Sequence, residues 1–181
     1  MNTTSKVVSG KGCGEPRADL GREAVEEISG QLIRLLADVF ALYLKTKNFH
    51  WHMTGRQFRE YHLLLDEQAE QIFAMSDDIA ERARKIGGNT LRSIGDISKH
   101  QRLKDDNRDS IRPEEMLAEL RTDNREFTRY LLLTHVVCQE RNDVATASLI
   151  ENWIDQTQRR TWFLSEALSE VPSAASAVSP R

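Results

Sequence analysis

His62, Asp66, Asp77 and Glu81 follow one another at steps of 4, 11 and 4 residues. On an α-helix those steps rotate by roughly 40°, 20° and 40°, so all four side chains fall within roughly a 100° arc. Imidazole and carboxylate together suit iron, manganese or zinc. The same pattern also describes a solvated acidic face that carries one histidine. Distance then decides the architecture. Asp66 and Asp77 stand eleven residues apart, roughly 16 Å along the axis, which is too far to close around one ion or a tight pair of ions. His62 with Asp66 is therefore one half-site, and Asp77 with Glu81 is another. A twofold axis that sets this helix antiparallel to its copy places each half against the opposite half of the partner, giving two identical sites between subunits.

Upstream, residues 49–52 read Phe-His-Trp-His. Residues two apart on a helix point roughly 200° from each other, so His50 and His52 cannot serve one site. Asp78 points roughly 100° away from Asp77, which suits a solvated or interface role. His135 sits in an apolar stretch and reads as a core histidine, and His100 has no assigned role. None of the five histidines has a glutamate three residues earlier, which argues against a di-iron centre built inside one bundle from Glu-x-x-His motifs.

These residues need long helices to hold them. From about Asp19 to Trp51 apolar residues such as Val25, Ile28, Leu32, Leu35, Val39 and Leu42 recur at three- and four-residue steps, the mark of an amphipathic helix. Gly55 breaks it. A second stripe runs from about Gln57 to Ile86 and ends at Gly87-Gly88. Residues 89–112 are polar, with a short helix expected within 93–101. Pro113 opens a third long helix running to about Arg141, and Asn142 or Asp143 caps a fourth. Short, long and short connections between four long helices predict an all-α four-helix bundle with one long crossover, which carries the short helix. The bundle is expected over 19–171, between a flexible N-terminal tail (1–18) and a flexible C-terminal tail (172–181).

The 181 residues suit one domain, with 39% hydrophobic and 29% charged residues, 9 Gly and 4 Pro. No apolar run approaches the length of a membrane span, and the N-terminus has no apolar signal core. Cys13 and Cys138 match no zinc or redox spacing, which points to a reducing cytoplasm. A net charge of −3 excludes coating nucleic acid by bulk charge.

Residues 45–88, KTKNFHWHMTGRQFREYHLLLDEQAEQIFAMSDDIAERARKIGG, closely resemble the signature of the Dps family, the DNA-binding proteins from starved cells. The resemblance implies a ferritin-like bundle whose ligands are His50, His62 and Asp66 from one subunit and Asp77 and Glu81 from its twofold mate. It leaves His52 at a variable position and puts Trp51 beside the centre. It further implies a ferroxidase that oxidises Fe²⁺ with hydrogen peroxide or oxygen, storing ferric mineral in a dodecameric shell and protecting DNA from oxidative damage. Threefold acidic pores would admit iron; Asp143 and Asp155 are candidates by position, although both also read as ordinary surface carboxylates.

An alternative reading is a nucleoid-compacting DNA-binding protein with iron oxidation secondary. The tails support it weakly: Lys6, Lys11 and Arg17 stand against Glu15 and Asp19, and the C-terminal tail offers only Arg181. A third reading is a bundle without metal, whose acidic positions only hold a dimer together.

Overall fold

The computed structural model describes residues 20–169. Five helices follow in order: α1 (Arg22–His52), α2 (Phe58–Lys85), α3 (Ile94–His100), α4 (Pro113–Glu140) and α5 (Val144–Leu168). There is no strand among the described residues. The tails, with Cys13, Lys6, Lys11, Arg17 and Arg181, lie outside them.

The boundaries have local causes. Met53, extended and buried, ends α1, and Gly55 at φ 95° reverses the chain into α2. At the far end of α2, Gly87 takes φ 93° while Gly88 N–H donates to Ala83 O and Gly87 N–H to Arg84 O, a Schellman closure. A Cβ on Gly88 would stand 2.3 Å from Ser29 Cβ, so α1 reaches the α2 terminus at backbone contact. Asn142 at φ 58° closes α4 in the same way, through bonds from Asp143 N to Cys138 O and from Asn142 N to Gln139 O. Ser93 caps α3, Pro113 opens α4, and Asp143 caps α5 by accepting from Thr146 N.

Two helical hairpins, α1–α2 and α4–α5, pack into the bundle. Ile28, Leu32 and Leu42 of α1 meet Leu65 and Ile72 of α2, Phe127 of α4 and Ile150 of α5 in one core. The crossover is tied to α1 by Asp38, which is fully buried. Its carboxylate accepts from Arg102 N, Nε and Nη2 and from Leu103 N at 2.6–3.2 Å. The Arg102 guanidinium also lies 3.7 Å from the Tyr130 ring centroid on α4. Burial pushes the Asp38 carboxyl above its usual range, against the pull of these bonds.

Two residues depart from expectation. His135 is not in the core: it sits on the flank of α4, with Nε2 3.0 Å from Glu151 Oε1 on α5. The run Leu131-Leu132-Leu133 is apolar on every side of the helix, so periodicity does not single out the buried face; Leu132, Leu133 and Val136 are exposed. Asp143 is not a surface carboxylate either. It is buried, accepting from Thr146 N at 3.0 Å and from Arg82 Nη2 at 2.6 Å. Its position as helix cap turns it inward, which removes it as a lining for a pore. Asp155 is exposed.

Candidate metal centre

The turn at 53–57 folds the start of α2 back on the end of α1 and brings His62 against His50. Their rings stack at 3.7 Å between centroids and 22° between planes. Each Nδ1 is bonded to the other residue's main-chain carbonyl: His50 Nδ1 to His62 O at 2.9 Å, and His62 Nδ1 to His50 O at 3.0 Å. A carbonyl only accepts, so each Nδ1 carries the hydrogen. In the neutral ring that places the free lone pair on Nε2 of both residues, the tautomer a metal requires. His50 is buried and His62 half-buried, and the Phe58 ring lies 5.0 Å from that of His62.

Asp66, one turn along α2 from His62, brings Oδ1 to 3.8 Å from His50 Nε2. The same oxygen accepts from Lys47 Nζ at 2.7 Å. Lys47 holds the Asp66 carboxyl below its usual range, and both histidines add to the effect. An ammonium therefore sits on the carboxylate beside the two imidazoles. Sequence reasoning did not find it. Lys47 precedes His50 by one helical turn, a spacing that shows a shared face of α1 but not the register against Asp66.

The second half is separate. Asp77 and Glu81 stand exposed farther along α2, and Glu81 pairs with Lys85 at 2.7 Å. That hydrogen bond keeps the Glu81 carboxyl below its ordinary range. Among the described residues, no three His, Cys, Asp or Glu side chains converge on one point within the chain. His50, His62 and Asp66 are brought together; Asp77 and Glu81 are not brought to them. Both halves lie on an α1–α2 face that also exposes Leu44, Leu63 and Phe73. Trp51, expected beside the centre, leaves its ring 59% exposed on the subunit, while His52 is exposed and bonded through Nδ1 to Asn48 O. One residue of helix rotates Trp51 roughly 100° from His50.

A family model for the ferritin-like domain matches residues 30–174. A DNA protection during starvation protein of Agrobacterium fabrum is 30% identical over 152 residues, covering 84% of this chain and 94% of the relative. DNA protection during starvation protein 1 of Deinococcus radiodurans is 27% identical over 158 residues, covering 83% of this chain and 73% of that protein. The X-ray structure of Dps from Thermosynechococcus elongatus superposes with a TM-score of 0.80 at 27% identity, covering 85% of this chain and 98% of that one. The chain belongs to the Dps family of ferritin-like proteins. As a Dps chain it has the all-α bundle and the crossover helix that the family resemblance implied. No helix among its described residues is long and apolar enough to cross a membrane.

Proposed function

We propose that this Dps chain is a ferroxidase and iron-storage protein that oxidises Fe²⁺ at sites shared between twofold-related subunits. One observation carries the reading: the reciprocal Nδ1–carbonyl bonds that free both Nε2 atoms of His50 and His62 beside the ionised Asp66. Neutral imidazoles admit Fe²⁺, and hard carboxylates favour the Fe³⁺ product. The donor set fits iron as substrate. Asp77 and Glu81, roughly 16 Å from Asp66 along α2, complete the neighbouring subunit's site instead of their own.

Each group has a separate task. His50 and His62 present lone pairs whose orientation is fixed by the carbonyls they bond. Asp66 contributes negative charge, which Lys47 balances until the substrate cation arrives and takes the lysine's place. Asp77 and Glu81 of the mate close the site with two more carboxylates, and the exposed apolar residues of the α1–α2 face exclude water once covered by that mate. Oxidation of two ions by one peroxide balances as 2 Fe²⁺ + H₂O₂ + 2 H⁺ → 2 Fe³⁺ + 2 H₂O. Paired electron delivery avoids release of hydroxyl radical, which is how DNA would be protected; oxygen is the other candidate oxidant. The ferric product collects inside a closed shell of twelve copies. DNA compaction stays secondary, because the tails that would carry it hold few positive charges.

Anaerobic loading with Fe²⁺ followed by a pulse of peroxide, read by ultraviolet absorbance, tests the activity. Rapid appearance of ferric absorbance in the wild type and its loss in His50→Ala/His62→Ala is the expected result. Equal rates in both proteins would refute the assignment. Light scattering that gave a mass near one 20.7 kDa subunit at all concentrations would remove the storage function.

A further inference from the structure

The centre of the bundle contains a charge that the iron chemistry does not use. Arg160 of α5 is 1% exposed, the largest fully buried side chain in the core. Its Nε donates to Asn124 Oδ1 at 3.0 Å and its Nη2 to Thr157 Oγ1 at 2.8 Å, with Met75 Sδ 3.8 Å away. These partners are all neutral, and two are fixed by other bonds: Asn124 Nδ2 donates to Leu120 O and Thr157 Oγ1 to Trp153 O. Nη1 is buried with no partner. Among the described residues no carboxylate lies within ion-pair distance of this guanidinium. Burial alone depresses its pKa, to about 10, with no nearby charge acting on it. A guanidinium stays protonated, so the interior holds a full positive charge without a counter-charge.

Arg160 also lines a cavity between α2 and α5, together with Leu64, Gln68, Gln71 and Phe163. Its volume of about 10 Å³ leaves room for one water-sized particle and none for a polyatomic anion. Glu67 borders it as well, but its carboxylate accepts from Gln71 Nε2 at 2.9 Å on the surface. We propose that Arg160 binds a single monatomic anion, chloride in the cell, in the interior of the bundle between α2 and α5. The anion accepts from the orphaned Nη1 and supplies the missing negative charge. A hydrogen-bonding water would satisfy Nη1 but leave the charge unbalanced.

Bromide is the probe. Crystals of the assembled protein, soaked in sodium bromide and measured at the bromine absorption edge, should show one anomalous peak per subunit within hydrogen-bond reach of Arg160 Nη1. In Arg160→Met crystals that peak should vanish. In solution, replacing sodium gluconate by sodium chloride at equal ionic strength should raise the wild-type melting temperature by about 3 °C and leave Arg160→Met unchanged. A bromide map with no peak at the guanidinium, or with water density alone, overturns the proposal without recourse to the variant. A variant that responds to chloride as strongly as the wild type overturns the assignment to Arg160.

Discussion

His50 and His62 hold each other by the same bond made twice, each imidazole Nδ1 on the other's main-chain carbonyl, with the rings stacked between. The pair also ties the last turn of α1 to the first turns of α2. Loss of either ring therefore affects the orientation of the other as well as the ligand count.

Sharing of the site can be tested by complementation. His50→Ala/His62→Ala and Asp77→Ala/Glu81→Ala should each oxidise iron poorly when assembled alone. Co-assembly from equal amounts makes half the dimers mixed, and each mixed dimer gathers one intact site, so roughly a quarter of wild-type activity should return. Separately folded shells blended without subunit exchange should recover nothing. Inactive, properly mixed shells would mean that the ligands are not shared.

Lys47→Met should strengthen anaerobic Fe²⁺ binding by roughly tenfold at neutral pH, since the arriving cation no longer displaces a charge-assisted hydrogen bond from Asp66. Competition titration against a chelator measures it. Weaker binding in the variant would show that Lys47 supports the site.

Asp143→Ala removes a helix cap and leaves the Arg82 guanidinium without its carboxylate in a mostly buried position. A loss of about 3 kcal/mol is expected, against less than about 0.5 kcal/mol for Asp155→Ala on the exposed face. Denaturant unfolding would distinguish the two. Equal losses would contradict the structural role assigned to Asp143.

Glu126 gives a pH-dependent prediction. Hydrogen bonds from Arg129 and then Tyr130 lower its carboxyl to about 2 from an ordinary 4.5. A depressed carboxylate stabilises the fold above its unfolded pKa, and that contribution is lost as pH falls from 4.5 towards 2. The pair is well exposed and solvent screens it, so Glu126→Gln should cost less than about 0.5 kcal/mol at pH 7. The difference from wild type should close on acidification. A difference that widened at low pH would reverse the sign assigned here.

The bundle was legible because its causes are local: three- and four-residue apolar steps, Gly55 and Gly87 at breaks, Pro113 and Asp143 at starts. So was the separation of Asp66 from Asp77, which needs only the helical rise. What sequence could not supply was register between helices. The bonds from Lys47 to Asp66 and from Arg82 to Asp143 join residues 19 and 61 apart in the chain, and no spacing rule reaches across that interval. His135 fails for a different reason, since a stretch that is apolar all round does not mark which side is inside.

The three turns of helix between Asp66 and Asp77 also bear on when the protein becomes active. On the shared-site reading, a newly made subunit is folded yet inert towards iron, carrying two unlike fragments that cannot reach each other. Encounter with a second copy is then the activating event, and reactivity at low abundance rises with the square of subunit concentration. A cell would restrain iron oxidation simply by keeping the chain scarce, and release it by expressing more.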